Sequence, residues 1–269
     1  VHRRLDAELV RRGLATSRAQ ARELVDAGRV LVGGAPAGKP SRLVSAGDPL
    51  LVEAPPPRFV GRGGEKLAAA LERFGLDPAG LHVLDAGAST GGFTDCLLQA
   101  GAASVVALDV GHGQLHERLR SDPRVRVLER TNLRHVDPAA LGEHDAVVAD
   151  LSFISLRAVM PTLVACTRPG GWLVLLVKPQ FEVGRIEATR GRGVITDPGL
   201  WRSALQGVLD AAVAAGAVPQ GLMPSPLRGA AGNVEFLLWL RRNDPKRGGG
   251  IEVGPLIGDA VAAAADSGR

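Results

Sequence analysis

Leu84-Asp85-Ala86-Gly87-Ala88-Ser89-Thr90-Gly91-Gly92-Phe93 decides how the rest of the chain is read. Before it, His82-Val83-Leu84 is a short apolar strand; after it, Phe93-Thr94-Asp95-Cys96-Leu97-Leu98 opens a helix. A strand that turns through glycines into a helix gathers free backbone N–H groups and a positive dipole end at one point. Glycine has no Cβ, so the backbone there can lie close to a ligand. The spacing is neither the Gly-x-Gly-x-x-Gly of a dinucleotide site nor the Gly-Lys-Ser/Thr of a P-loop.

Downstream of this turn, apolar strands alternate with helical stretches. Residues 104–108 form a strand that ends in Asp109, and residues 125–128 form one followed by Thr131-Asn132. Residues 145–149 end in Asp150, and residues 172–177 end in Lys178. Helical stretches intervene, notably 97–100 and 156–166. Continuous apolar strands alternating with helices predict a parallel α/β sheet covered on both faces. Ligands of such sheets bind at the carboxyl ends of the strands, where Asp85, Asp109, Asp150 and Lys178 all fall. An acid at the end of the second strand suits ribose hydroxyls, and Thr131 and Asn132 suit an adenine or its ribose. Phe236-Leu237-Leu238-Trp239-Leu240 is a further strand. If it runs antiparallel to the rest, Glu235 reaches the same edge. Upstream, Leu67, Ala70, Leu71 and Phe74 predict a helix that starts at about Lys66. Residues 246–250 are read as a break before a final helix around 257–265.

The N-terminal segment has a different texture. Residues 5–10 read as a short helix closed near Gly13. Ser17 reads as an N-cap, with Gln20 three residues on to complete a capping box, and Gly28 as the C-terminal stop. Strands follow at Val30-Leu31-Val32, before the Gly33-Gly34 turn, and at Leu50-Leu51-Val52. Ala54-Pro55-Pro56-Pro57 reads as a semi-rigid spacer. Residues 1–60 hold ten basic and six acidic side chains, which is the whole of the net +4; the remainder is neutral. A compact basic segment of this kind suits a polyanionic partner.

Composition bounds the alternatives. A chain of 269 residues with 45% hydrophobic content has ample material for a core. No apolar run approaches the ~18 residues of a membrane span, and Val-His-Arg-Arg-Leu-Asp lacks the apolar stretch of a signal peptide. Cys96 and Cys166 are isolated, so neither a disulfide framework nor a zinc site is suggested. These features point to the cytoplasm and to no membrane. Only Lys39, Lys66, Lys178 and Lys246 among the 32 basic residues are lysines. In an arginine-rich chain, lysine marks positions where an amine able to lose its proton is wanted.

Four resemblances follow from these residues. Ser17-Arg18-x-x-Ala21-x-x-Leu24-Val25-x-x-Gly28-x-Val30-x-Val32-x-Gly34 resembles the αL motif of ribosomal and pseudouridine-synthase RNA-binding domains. Asp85-x-Gly87-x-x-x-Gly91-Gly92-Phe93 resembles the first motif of Rossmann-like methyltransferases that bind S-adenosylmethionine. Lys66, Asp150, Lys178 and Glu235 match in order the Lys-Asp-Lys-Glu tetrad of FtsJ-like ribose 2′-O-methyltransferases. Residues 62–67, 149–155, 177–182 and 232–235 are similar to the TlyA family in particular. In place of the tryptophan that some members carry in the linker, this chain has Arg58-Phe59-Val60.

The resemblance implies an α/β Rossmann-like methyltransferase domain with a small N-terminal α+β RNA-binding domain. The expected division is 1–54 for the αL-type domain, 55–60 for the linker and 61–269 for the methyltransferase. It implies methylation of cytidine 2′-hydroxyls in 16S and 23S rRNA, an effect on capreomycin and viomycin sensitivity, and a family also labelled haemolysin. Lys66, Asp150, Lys178 and Glu235 are then catalytic. Asp85, Gly87, Ala88, Ser89, Gly91, Gly92, Phe93, Asp109, Asn132 and Asp150 hold S-adenosylmethionine, with no metal. Arg3, Arg4, Arg11, Arg18, Arg22 and Arg62 contact rRNA in the ribosomal subunits, and no obligate protein partner is implied. Lys178, partly buried near Lys66, is the expected general base, with Asp150 and Glu235 orienting the two amines. The competing readings are a base methyltransferase, a membrane-lytic haemolysin and a non-catalytic ribosome-binding factor. Asp150-Leu151-Ser152-Phe153 lacks the proline pair that many base methyltransferases use.

Overall fold

The computed structural model describes residues 2–15, 17–53, 57–184, 193–244 and 253–266. The chain forms two compact units, Val1–Pro57 and Arg58–Arg269. The predicted spacer residues 54–56 and the predicted break at 246–250 lie outside the described residues.

The first unit contains β1 (Arg3–Arg4), α1 (Leu5–Arg11), α2 (Arg18–Asp26), β2 (Val30–Val32), β3 (Ala35–Pro36), β4 (Leu43–Val44) and β5 (Leu50–Val52). The Ser17 hydroxyl accepts from Gln20 N at 3.2 Å, which satisfies one of the free N–H groups at the start of α2. Strand β2 sits between β3 and β5, antiparallel to both. Strand β1 pairs with β4, a two-residue bridge too short to carry a periodic signal. Leu5, Leu9, Ala21, Val25, Val30 and Val44 make the core. Each fully buried leucine contributes about 1.5–3 kcal/mol, enough to hold two helices on a small sheet.

The second unit runs α3 (Gly63–Phe74), β6 (His82–Ala86), α4 (Gly92–Gln99), β7 (Ser104–Leu108), α5 (Glu117–Arg120) and β8 (Val125–Leu128). It continues with α6 (Pro138–Leu141), β9 (His144–Ala149), α7 (Leu156–Ala165), β10 (Thr167–Val177), α8 (Pro179–Glu182), α9 (Pro198–Ala214), β11 (Ala217–Pro224), β12 (Phe236–Arg242) and α10 (Val253–Asp266). Helix α3 begins three residues before the expected Lys66, because Gly63 and Gly64 join its first turn. Phe59 is buried against this unit, and Val60 N donates to Asp95 Oδ2 at 2.8 Å. Residues 58–60, expected as linker, are therefore packed into the second unit, anchored by an aromatic ring and a buried acid.

Seven strands form one sheet in the order β11-β12-β10-β9-β6-β7-β8. Strands β6 to β10 pair in parallel. From β6 the chain winds outward through β7 and β8, then returns to β9 on the other side. The reversal opens a crevice between β6 and β9, the place where ligands bind in such sheets. Strand β12 is antiparallel to β10, with Val177 opposite Phe236. This register sets Lys178, just after β10, and Glu235, just before β12, at the same edge. Strand β11, at the sheet margin, was not anticipated: Pro219 and Gly221 interrupt its apolar pattern, and a register shift falls between them. Among the described residues no helix is long and apolar enough to cross a membrane.

Candidate active site

Four strand ends and one helix start meet over the crevice. Gly87 has φ +85°, and a Cβ there would lie 2.5 Å from the carbonyl oxygen of Asp150. Only glycine lets the loop after β6 lie against the end of β9, where Asp150 N donates to the Ala86 carbonyl at 3.0 Å. Asp150 thus emerges directly beside the glycine turn.

The four expected catalytic residues form two ion pairs. Lys178 Nζ lies 2.6 Å from Asp150 Oδ1 and donates to Ser152 Oγ at 2.9 Å. Lys66 Nζ lies 2.5 Å from Glu235 Oε2. Lys66 and Glu235 are buried; Lys178 and Asp150 are partly buried. All four line a cavity of about 690 Å³ with Arg62, Arg228 and the loop residues Gly87, Ala88, Ser89, Gly92 and Phe93. A second cavity of about 330 Å³ adjoins it, sharing Gly87, Ser89, Asp150, Ser152 and Phe153. Its walls are apolar at Leu108, Leu133 and Ile154 and polar at Asp109, Thr131 and Asn132. That mixture and size suit a nucleoside.

The other expected residues divide. Asp109 accepts from Ser89 N at 2.8 Å and from Gly111 N at 2.7 Å, so its carboxylate shapes the loop as well as the cavity wall. Asn132 is exposed on the second cavity, and its Oδ1 accepts from Arg134 N. Asp85 and Gly91 line neither cavity. Asp85 is fully buried below the turn and accepts from Thr94 Oγ1 at 2.6 Å. Burial pushes its carboxyl up to about 7, the nearby Asp150 adding to the rise. At Gly91, φ is +99° and a Cβ would strike Leu119 Cδ1 at 2.2 Å. Backbone conformation and packing against α5 by themselves demand glycine there.

Three further residues belong to the site, of which Phe153 and Glu182 lie in the family-like stretches 149–155 and 177–182 without having been assigned a role. Glu182 is buried and accepts from Ser155 Oγ at 2.5 Å and Leu156 N at 2.7 Å. Burial raises its pKa above the usual carboxylate range despite those donors. It ties the segment after Lys178 to the segment after Asp150. Phe153, 92% exposed with φ +64°, lines both cavities, and its ring sits 5.3 Å from that of Phe181. A bulky residue in this region is strained, and such strain collects at working sites. Arg228 lines the larger cavity, and its carbonyl accepts from Arg62 Nη2 at 3.0 Å. Cys96 and Cys166 are buried, and burial pushes their thiols up to about 12 and about 11. Neither is placed to act as a nucleophile.

The arginines of the first unit are organised by hidden acids. Asp6 accepts from Arg4, Arg18 and Arg22, and Glu8 accepts from Arg11 and Arg12. Arg3 is exposed on β1.

Residues 59–242 match the FtsJ-like methyltransferase family, and residues 3–50 match the S4 domain. The protein is therefore an FtsJ-like methyltransferase joined to an S4 domain. The 16S/23S rRNA (cytidine-2′-O)-methyltransferase TlyA of Mycobacterium tuberculosis is 54% identical over 240 residues, covering 88% of this chain and 89% of that protein. Hemolysin A of Brachyspira hyodysenteriae is 36% identical over 87% of this chain and 98% of its own length. A solved structure described as a hemolysin from Streptococcus thermophilus superposes with a TM-score of 0.74 at 38% identity, covering 98% of this chain and 96% of that one. The chain belongs to the TlyA family.

Proposed function

We propose that this enzyme transfers a methyl group from S-adenosylmethionine to the 2′-hydroxyl of cytidines in 16S and 23S rRNA. The observation that carries the reading is the convergence of Lys66, Asp150, Lys178 and Glu235 as two ion pairs on one cavity wall beside the glycine turn. The donor's nucleoside fits the smaller cavity, with Asp109, Thr131 and Asn132 as polar partners. Gly87, Ala88, Ser89 and Gly92 border the larger one, where the rest of the donor and the RNA ribose would meet. The arginines of the S4 unit, with Arg62, favour an RNA substrate over a small molecule, and the exposed Phe153 ring offers a face on which a base can stack.

A ribose hydroxyl is a poor nucleophile until its proton leaves. When bound, S-adenosylmethionine would supply an electrophilic methyl on a sulfonium, which the oxygen attacks as its proton leaves. Lys178 then accepts the 2′-proton, held in place by Asp150 and Ser152. Glu235 fixes Lys66, which orients the ribose oxygen. Burial of Lys66 and Glu235 in the cavity wall keeps these interactions strong.

Tritium transfer from labelled S-adenosylmethionine to rRNA, followed by mass spectrometry of the nucleosides, tests the proposal. A 2′-O-methylcytidine is expected. A methyl on the base would overturn the ribose assignment, and no incorporation would favour a ribosome-binding factor. Asp109→Ala is expected to weaken S-adenosylmethionine binding in calorimetry; unchanged affinity would remove Asp109 from the cofactor site.

A further inference from the structure

Asp6 is fully buried, yet it is the common partner of three exposed cations. Arg4 donates from Nε and Nη2 at 3.1 Å each, Arg18 from Nη2 at 2.9 Å and Arg22 from Nε at 3.4 Å. Their side chains are 44%, 52% and 55% exposed. A guanidinium has five N–H donors, so most of those on the three groups are left for another acceptor. The cations hold the Asp6 carboxyl well below the usual carboxylate range, so it stays charged.

The neighbouring acid shows what a merely structural arrangement looks like. Glu8 holds Arg12, whose side chain is 22% exposed. Arg12 spends three of its four remaining donors on the carbonyls of Ser45, Ala46 and Asp48. That guanidinium is consumed in bracing a loop. Among the described residues no such carbonyls close the fan around Asp6, and the three side chains are about half exposed.

Three guanidinium groups repel one another and would spread apart if free. Each also carries rotamer entropy that a ligand would have to freeze. A carboxylate beneath them removes both costs before any ligand arrives. The group left with a net charge of two is suited to a phosphodiester, which arginine forks bind through paired N–H donors.

We propose that Asp6, Arg4, Arg18 and Arg22 form a preorganised receptor for an RNA backbone phosphate, in which Asp6 acts as a positioning residue. The proposal rests on the RNA-binding reading of the S4 unit and makes a demand opposite to bulk electrostatics. Asp6→Asn makes the protein more positive by one charge. If charge alone drives binding, affinity for RNA rises; if positioning matters, it falls.

The test uses the full-length protein and deproteinised small-subunit rRNA in filter binding at 50 and 200 mM salt. Asp6→Asn is expected to weaken binding by at least ~5-fold and to flatten the salt dependence, since fewer phosphate contacts release fewer counterions. Its S-adenosylmethionine affinity should stay the same. Unchanged or tighter RNA binding overturns the proposal. If Asp6→Asn fails to fold, the triple variant Arg4→Lys, Arg18→Lys, Arg22→Lys decides: it keeps every charge and the buried acid but loses the forks. A comparable loss supports the receptor, and wild-type affinity refutes it. Replacing the same three arginines with glutamine separates the two layers of the argument. Wild-type affinity there removes the RNA-anchoring role of the fan itself. A loss there without one in Asp6→Asn removes only the carboxylate's part.

Discussion

In the S4 unit the acid is hidden and the cation faces outward: Asp6 and Glu8 are buried, while Arg4, Arg11, Arg18 and Arg22 present their heads. In the two ion pairs on the cavity wall of the methyltransferase unit both members are withdrawn. The side chains of Lys66 and Glu235 are 9% and 3% exposed, and those of Lys178 and Asp150 are 11% and 24% exposed. The residue types follow the task. A surface that displays charge uses arginine, which stays protonated and forks onto phosphate; a site that must move a proton uses lysine. The same chain writes both, which is why four lysines among 32 basic residues carry information.

The sharpest way to break this comparison is Lys178→Arg. If Lys178 only displayed charge, arginine would serve. As a proton acceptor it cannot be replaced, so the single-turnover methyl-transfer rate is expected to fall by at least ~100-fold, the low end for losing a general base. Binding of rRNA and S-adenosylmethionine should change little. A near-normal rate would overturn the mechanism while leaving the fold intact.

Next in size is the removal of the displayed charge. A chain beginning at Arg58 loses three of the four net positive charges and is expected to lose on the order of 10- to 100-fold in rRNA affinity, with a shallower salt dependence. Its S-adenosylmethionine affinity, measured by calorimetry, should survive. Equal rRNA affinity and salt slope in the two chains would show that the S4 unit does not anchor RNA.

Glu182→Ala probes how tightly the withdrawn pairs are held. Without the latch between the Asp150 and Lys178 segments, the transfer rate is expected to fall about 10-fold, less than the ~100-fold that a 1 Å misplacement can cost. The loss should appear in kcat with KM for rRNA unchanged, and Glu182→Gln should restore part of it. A variant that melts earlier but turns over normally would reduce Glu182 to a structural role.

The smallest expected effect is in pH dependence, where the two units run in opposite directions. Burial lifts Asp85 to about 7, so between about pH 4 and 7 the unfolded chain releases its proton while the folded chain keeps it. Stability therefore falls as pH rises through that window. Arginine contacts hold Asp6 below the usual range and Glu8 at about 2, so their contribution is complete above about pH 4.5 and is lost on acidification. Between pH 4.5 and 7.5 the wild-type Tm should therefore fall relative to that of Asp85→Asn. Parallel Tm curves would mean that Asp85 does not titrate in that range.

Much of the architecture was legible because its causes are local. Hydrophobic runs, glycine turns and the Ser17 cap each act within a few residues, so strands β6 to β10 and helix α2 stand close to where the pattern puts them. The short β1–β4 bridge and the Gly- and Pro-interrupted β11 were not, because neither carries a period long enough to read. The site was legible as a set of residue types at strand ends, with the resemblance supplying the tetrad. The receptor around Asp6 was not, because nothing in Leu5-Asp6-Ala7 says that residues 4, 18 and 22 will meet there.

The sequence by itself determined the alternation of strands and helices, the basic N-terminal segment, and the scarce lysines placed after or before apolar runs. Only the tertiary structure decided the partners. Lys66 meets Glu235 across 169 positions because β12 runs antiparallel to β10 in a register that sets Val177 opposite Phe236. Asp85 proved to lie below the glycine turn, on neither cavity wall, while Asp150 from the neighbouring strand lines both. Local propensity acts over a few bonds. Which carboxylate a lysine finds depends on strand order and register, and these follow from burying the apolar faces of the whole sheet at once.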